Sequence, residues 1–262
     1  MVRFPLKSII IINNTQTQPQ PSRTMNDAYL KLLLKIITAI AENTDNPEAV
    51  YPLLLENSDK LDQTFILTLQ EWATEQLQDA DADESYKIAS NLYLFNQIIY
   101  GFPLGNPALN IEITITCLKL ALTVWTREIS AQNWAVIQNS LAIDYCCRIQ
   151  GEKADNLETA IACYTQAFSV YTRQAFPQEW ALTQNNLGNA YGSRIQGETA
   201  QNLEKAIACH KEALSVYTRN AFPQQWGLTQ ENLAYAYGDL GQSDQKIRCL
   251  KLSLEVPFPR GI

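Results

Sequence analysis

The stretch from Trp134 to Phe176 reads WAVIQNSLAIDYCCRIQGEKADNLETAIACYTQAFSVYTRQAF, and the stretch from Trp180 to Phe222 reads WALTQNNLGNAYGSRIQGETAQNLEKAIACHKEALSVYTRNAF. The two stretches are identical at 27 of 43 positions, and Trp226 continues their spacing of 46 residues. Self-similarity at a fixed period of this length is the signature of a repeat architecture. The sequence therefore predicts a tandem array in which each unit packs against its neighbours.

The same spacing extends toward the N-terminus. It relates three sets of residues, which are Gly105, Gly151 and Gly197, then Asn110, Asn156 and Asn202, then Glu112, Glu158 and Glu204. Residues 83–262 are therefore predicted to hold four units, at about 83–128, 129–174, 175–220 and 221–256. The last unit is shorter by six residues, because Tyr237 leads almost directly to the turn at Gly241.

Each unit is predicted to form two helices, a leading helix and a second helix. Pro177 and Pro223 suit the first turn of a leading helix, where the missing N–H has no intrahelical partner to lose. Gly151 and Gly197 are expected to end the leading helix in the left-handed region. Asn156 and Asn202 are expected to cap the second helix through the side-chain oxygen. An apolar stripe follows on that helix, formed by Leu157, Ala160, Ile161, Tyr164, Phe168 and Tyr171.

Arginines recur with the repeat. Arg127, Arg173 and Arg219 are expected at the ends of second helices, where a cation complements the helix dipole. A second set lies in the turn, four residues before a glutamate, and a local ion pair is expected for Arg148 with Glu152 and for Arg194 with Glu198.

The order Asn186-Leu187-Gly188-x-x-Tyr191, followed by Ala206 and Ala213, resembles the tetratricopeptide pattern with six additional residues in the turn. The phrases Ala-Phe-Pro-Gln-x-Trp and Val-Tyr-Thr-Arg are similar to the long-turn repeats of bacterial, especially cyanobacterial, proteins. Those repeats often accompany caspase-like CHAT protease domains. Ala142 and Ala234 stand where the pattern has glycine. The resemblance implies an all-α fold, a right-handed α-solenoid of helical hairpins.

The N-terminal part lacks the repeat. Residues 1–24 are predicted to be a disordered tail, and Met25 is a possible start of the protein. Residues 25–82 are predicted to form an N-terminal helical cap, with an independent adaptor role as the alternative. Asn46-Pro47 should open a short helix, and two apolar stripes are expected, formed by Leu30, Leu33, Leu34, Ile37 and Ile40 and by Leu61, Phe65, Leu69 and Trp72.

Charge and composition disfavour several classes of protein. The net charge is −7, with 20 Lys and Arg against 27 Asp and Glu, so nucleic acids and anionic membrane surfaces are unsuitable partners. No stretch approaches the ~18 apolar residues of a membrane-spanning helix. Four of the six cysteines share one repeat position, Cys117, Cys163, Cys209 and Cys249, and are predicted to be buried thiols rather than disulfides. A cytoplasmic location is expected from this cysteine usage.

Candidate catalytic and metal-binding residues are few. The single histidine, His210, falls at a core-facing position and is predicted to be a hydrogen-bonded packing residue. The acidic run from Asp79 to Glu84 lacks the glycine and the distal glutamate of a calcium loop and is predicted to be a helix junction. No nucleotide-binding or nucleophile motif occurs.

The resemblance also implies where a ligand would bind. In tetratricopeptide proteins the ligand contacts residues around the Leu-Gly pair of the leading helix. The corresponding positions here are Asn139, Ser140 and Ile143, then Asn185, Asn186 and Asn189, then Glu231, Asn232 and Tyr235. Amides both donate and accept hydrogen bonds, so this column suits a peptide backbone. The Lys and Arg set that other family members use for a terminal carboxylate is absent.

The predicted function is a non-catalytic scaffold without a cofactor, which binds a protein or peptide partner in the concave groove of the array. One alternative is a regulatory or sensor module of a caspase-like protease system. Another is an enzyme with a site between the cap and the repeats. The array is expected to end in an uncapped C-terminal edge that contains Leu250, Leu252 and Leu254. A homodimer through this edge is one candidate to cover it. The others are a partner that completes the array and the tail folded back with Phe258.

Overall fold

The structure is a computed structural model that describes residues 27–254. The predicted tail at 1–24, Met25 and the segment 256–262 with Phe258 lie outside this range. The described residues form eleven α-helices and two short 3-10 helices and contain no strand, which confirms the all-α prediction. They fall into two compact units that divide between Ile129 and Ser130.

The first unit contains five α-helices, which are α1 Asp27–Glu42, α2 Tyr51–Glu56, α3 Gln63–Asp79, α4 Ala82–Gly101 and α5 Pro107–Leu122. The 3-10 helices span Pro47–Val50 and Ser58–Lys60. The hairpin of α4 and α5 is the first predicted repeat, and it packs against α3 of the predicted cap. The predicted boundary between cap and repeats therefore falls inside one compact unit.

The predicted stripe on α1 is wrong in part. Leu33 and Ile40 are buried as expected, but the other buried side chains are Leu32 and Ile36, and Leu34 is exposed. Because α1 packs against both α3 and α4, its buried face centres on Ile36. Leu34 precedes Ile36 by two positions, which on an α-helix turns its side chain by about 200°, to the opposite side.

Three further expectations for this unit are confirmed. Asn46-Pro47 opens a short 3-10 helix, and the stripe on and before α3 is buried, namely Leu61, Phe65, Leu69 and Trp72. The acidic run is a helix junction, in which Asp81 accepts a hydrogen bond from the backbone N–H of Glu84 and caps α4.

The second unit is a series of three hairpins. Its helices are α6 Ala131–Cys147 with α7 Lys153–Ala167, α8 Pro177–Gly192 with α9 Thr199–Leu214, and α10 Pro223–Asp239 with α11 Ser243–Ser253. Each leading helix packs against its own second helix, and α8 and α10 also pack against the second helix of the hairpin before. Neighbouring leading helices contact each other as well, as a helical-repeat array requires. The right-handed twist stays a prediction.

The tryptophans Trp134, Trp180 and Trp226 repeat every 46 residues, and Trp180 joins two successive hairpins. Trp180 packs against the cluster of Ala135, Ala167 and Tyr171 in the hairpin before it. It also packs against a cluster in its own hairpin, which contains Tyr217. One aromatic side chain thus covers apolar surface of two successive hairpins.

The turn inside the hairpin differs from its prediction. Leading helices α6 and α8 end at Cys147 and Gly192, and the glycines with positive φ, Gly151 and Gly197, lie four and five residues later, in the loop. The asparagines do not cap the second helices; Glu152 and Glu198 occupy the cap positions. The asparagine side chains instead donate to loop carbonyls, over 3.0 Å from Asn110 to Leu104 O and over 2.8 Å from Asn156 to Gln150 O and from Asn202 to Gln196 O. Each asparagine therefore fastens the long loop to the first turn of the helix that follows.

Arg194 joins two successive hairpins. Its Nε and Nη2 donate to the two carboxylate oxygens of Glu158 over 2.7 and 2.9 Å, and its Nη1 donates to Asn202 over 3.2 Å. This hydrogen-bonded ion pair lowers the pKa of Glu158. The predicted ion pair of Arg194 with Glu198 is wrong. A spacing of four residues brings side chains together only on a helix, and residues 194–198 form a loop. In the preceding turn Arg148 donates to Asn156.

The other repeat arginines do not end their own helices. Helix α7 ends at Ala167, well before Arg173. The Arg173 side chain donates to Ser215 O at the C-terminal end of α9, over 3.4 Å, and lies 5.8 Å from the centre of the Trp180 ring. The cation therefore meets the negative end of the second helix in the next hairpin. Arg219 lies over Trp226 in the same way.

We expect Arg194→Gln to lower the free energy of unfolding by about 1–2 kcal/mol, because a bidentate charged hydrogen bond between hairpins is lost at a site that water partly screens. Urea unfolding followed by circular dichroism measures this change. Lys251→Gln on α11 removes one positive charge elsewhere and should change stability by less than about 0.5 kcal/mol. Equal effects of the two substitutions would contradict an energetic role for the Arg194 pair.

Candidate functional site

The outward sides of the leading helices α6, α8 and α10 form a regular surface. The contributing positions are separated by four, four, three and four residues, which places their side chains within about 80° of one another around each helix. The surface, called the leading-helix surface below, consists of Gln132, Val136, Ser140, Ile143 and Cys147, of Gln178, Leu182, Asn186, Asn189 and Ser193, and of Gln224, Leu228, Asn232, Tyr235 and Asp239. Because neighbouring leading helices are in contact, equivalent residues form rows across the three helices.

One of these rows is aliphatic and open to solvent. Leu182 and Leu228 are 43% and 60% exposed, and Val136 is half-buried. Tyr235, two helical turns after Leu228, is 64% exposed. Large apolar side chains that recur at one place on a surface mark contact sites more often than scattered ones do. This row was not predicted from the sequence, although Leu182 and Leu228 are separated by the repeat period and lie out of phase with the buried positions.

The structure brings the predicted contact residues onto one side of the unit. Six of the nine belong to the leading-helix surface, namely Ser140, Ile143, Asn186, Asn189, Asn232 and Tyr235. The other three lie along one edge of it, at Asn139, Asn185 and Glu231. None of the nine is buried, and Asn189 and Tyr235 are the most open. Whether a ligand binds them stays a prediction.

Three of the predicted amides already hold neighbouring helices together. Asn232 on α10 donates to Asn185 Oδ1 on α8 over 3.2 Å. Asn139 Oδ1 on α6 lies 3.2 Å from the hydroxyl of Thr183 on α8. These side chains fix the spacing of the leading helices. Asn186 and Asn189 are the asparagines of α8 that belong to the leading-helix surface.

His210 completes this network from the interior. Its side chain is 2% exposed, and its Nδ1 lies 3.2 Å from Asn185 Oδ1. Because that oxygen accepts from Asn232, the geometry assigns the proton of the neutral imidazole to Nδ1. Burial lowers the pKa of His210 to about 4, so the ring is neutral at physiological pH. The predicted packing role is confirmed.

Gly188 of the Leu-Gly pair lies against the His210 ring. A Cβ at Gly188 would lie 2.6 Å from Cε1 of the His210 ring, so this hairpin requires a glycine. In the last hairpin the equivalent residues are Ala234 and Leu250, and both fit the same apolar cluster. In the last hairpin the alanine thus stands opposite a leucine rather than the His210 ring.

Five of the six cysteine thiols are buried or half-buried. All six cysteines are free thiols, and those at 117, 163 and 249 are buried. Burial raises the pKa of Cys146 and of Cys209 to about 11, which suppresses the reactive thiolate. Within residues 27–254, no group of three or more His, Cys, Asp and Glu side chains could hold a metal ion. In the same range, no helix is both long and apolar enough to cross a membrane.

The predicted C-terminal edge is partly open. Leu254 is exposed, as is Ile247 on α11, and Leu250 and Leu252 are half-buried. A homodimer through these residues stays a prediction.

Stability should depend on pH through His210. The unfolded chain binds a proton near the ordinary histidine pKa of about 6.5, whereas the folded chain does so only near pH 4. The free energy of unfolding therefore has its maximum contribution from His210 above about pH 6.5. It falls as the pH decreases toward 4, by at most about 3 kcal/mol. Urea unfolding between pH 7.5 and 4 measures this loss. In His210→Leu the loss should be smaller, and an unchanged pH profile would contradict the assignment.

Gly188→Ala should destabilise the protein by about 2 kcal/mol, because the added methyl group collides with the His210 ring. His210→Leu removes the collision, and the double variant reproduces the Ala234 and Leu250 pair of the last hairpin. The two substitutions should therefore couple by at least about 1 kcal/mol in a double-mutant cycle of thermal unfolding. Additive effects would show that Gly188 serves a different purpose.

Comparison with protein-family models gives a match. The family model described as a tetratricopeptide repeat matches residues 180–218, which cover α8 from Trp180 and all of α9. No curated protein matches the chain. An association with a caspase-like protease stays a prediction. The family match and the series of hairpins support a protein of the tetratricopeptide-repeat type.

Proposed function

We propose that this protein is a non-catalytic interaction scaffold that binds a polypeptide segment on the leading-helix surface. The observation that carries the proposal is the set of rows on α6, α8 and α10, in which exposed aliphatic and amide side chains recur at equal spacing. Tetratricopeptide repeats are typical protein-binding modules, and the family match supports this assignment.

The spacing of the rows suits an extended peptide. Packed helices lie about 8–10 Å apart. An extended chain advances about 3.3 Å per residue, so every third residue of a peptide crossing the helices meets an equivalent position. Apolar side chains at that interval would contact Val136, Leu182 and Leu228 in turn.

The polar rows supply groups for the peptide backbone. Asn186 and Asn189 can donate to carbonyls and accept from N–H groups, and the exposed glutamine row does the same at the other end of the helices. Asn185 and Asn232 hold α8 and α10 in place before any ligand arrives. A surface already fixed in this way loses little conformational entropy on binding.

The side chains with catalytic potential support a non-catalytic role. The ring of His210 is buried and hydrogen-bonded to Asn185, away from the solvent-exposed rows. A general base must reach the proton that it removes, and His210 has no such access. The leading-helix surface contains amide and aliphatic side chains, with Glu231 and Asp239 at its margin. These groups are suited to binding a polypeptide.

We expect peptides selected from a random display library against the wild type to bind the double variant Leu182→Ser and Leu228→Ser roughly tenfold more weakly than they bind the wild type. The reason is that two apolar contacts of ~0.7 kcal/mol each are removed from the centre of the surface. Isothermal titration calorimetry measures the dissociation constants.

Ile247→Ser is the matched control, because Ile247 is 51% exposed but lies on the second helix α11. It should leave the dissociation constants unchanged. Leu182, Leu228 and Ile247 are all exposed, so the circular dichroism spectra of both variants should match that of the wild type. If the double variant binds the selected peptides as tightly as the wild type does, the site lies elsewhere.

A further inference from the structure

Basic residues are unevenly distributed between the two kinds of helix in the second unit. Residues 130–254 contain ten Lys and Arg, and none of them lies in the leading helices α6, α8 or α10. They occur on second helices, such as Lys205 and Lys211 on α9, and in the loops. The leading helices carry acidic residues only, which are Asp144, Glu179, Glu231 and Asp239.

The acidic residues are placed around the aliphatic row. Glu231 is half-buried at the edge of the leading-helix surface, one helical turn from Leu228, and Asp239 is exposed at the end of the same helix. Glu179 is half-buried one turn before Leu182. Asp144 is buried and contributes no exposed charge.

Arginines in nearby loops are engaged elsewhere. Arg194 donates to Glu158 and Asn202, both on second helices. Arg173 donates to the end of α9 and lies over Trp180, and Arg219 lies over Trp226. These contacts direct the guanidinium groups of Arg194 and Arg173 to partners other than the acidic groups of the surface.

We infer that the leading-helix surface selects a polypeptide segment in which apolar side chains alternate with Lys or Arg, and that it discriminates against acidic segments. The inference rests on the proposed function and adds the chemistry of the partner. Apolar contacts at Leu182, Leu228 and Tyr235 provide the affinity. Glu231, Asp239 and Glu179 provide the charge complementarity, which contributes more to specificity than to total affinity.

The test uses three synthetic peptides with acetylated and amidated ends, so that no terminal charge contributes. Each has leucine at every third position and serine after it, and the third residue of the repeat is Lys, Gln or Glu. Fluorescence anisotropy with the full chain at low salt should give dissociation constants that increase from the Lys to the Gln to the Glu peptide. The Lys and Glu peptides should differ roughly tenfold, and the difference should shrink as salt screens the charges.

Two charge-reversing variants separate the surface from the net charge of the protein. This control is needed because residues 27–129 contain fifteen Asp and Glu against six Lys and Arg. Glu231→Lys should weaken binding of the Lys peptide and strengthen binding of the Glu peptide. The difference between their dissociation constants should therefore become smaller or change sign. Glu204→Lys makes the same charge change on an exposed position of the second helix α9, and it should alter the dissociation constants less than twofold.

The outcomes distinguish this inference from the proposed function. Equal binding of the three peptides, weakened by Leu182→Ser with Leu228→Ser, would overturn the charge preference and leave the surface in place. Equal shifts in Glu231→Lys and Glu204→Lys would also overturn it, because net charge would then explain the preference. Failure of all three peptides to bind would overturn the inference and count against the proposed function.

Discussion

The packing of one aromatic side chain between successive hairpins is the contact on which the second unit depends. Trp180 covers apolar surface around Tyr171 in the hairpin before it and around Tyr217 in its own. A single hairpin cannot bury its apolar faces, so each unit acquires a core only when the next one covers it. Arg173 reinforces the same junction, because its guanidinium group lies over the Trp180 ring and reaches the end of α9.

Since stacking uses the inner faces of the helices, the outward face of the leading helices is left to other purposes. Positions that pack repeat almost unchanged, as Ala135 and Ala181 do. One outward row differs in every hairpin, that of Ile143, Asn189 and Tyr235. Stability and recognition therefore fall mostly on different residues. Asn185 belongs to both, because it borders the surface and also receives the hydrogen bonds of Asn232 and His210.

Sequence reasoning identified six residues of the candidate surface and placed three more at its edge. It did so through the Leu-Gly pair, because a helix fixes which neighbours share its face. It missed Leu182 and Leu228, since an apolar residue is ordinarily assigned to the core, and their exposure depends on where the neighbouring helices lie. It also treated Asn185 as free to bind, because the bond from Asn232 crosses 47 residues of sequence.

The sequence by itself determined the helical hairpins, their period and most core positions of the second helix α7, because these follow from local spacing and from repetition. It determined the packing role of His210 in the same way. Only the tertiary structure decided which residues meet across the turns. Arg194 bonds Glu158 rather than the nearby Glu198, and Asn156 fastens a loop instead of capping a helix. The physical reason is that sequence spacing predicts contacts within one helix, whereas partners across a loop are selected by packing between helices.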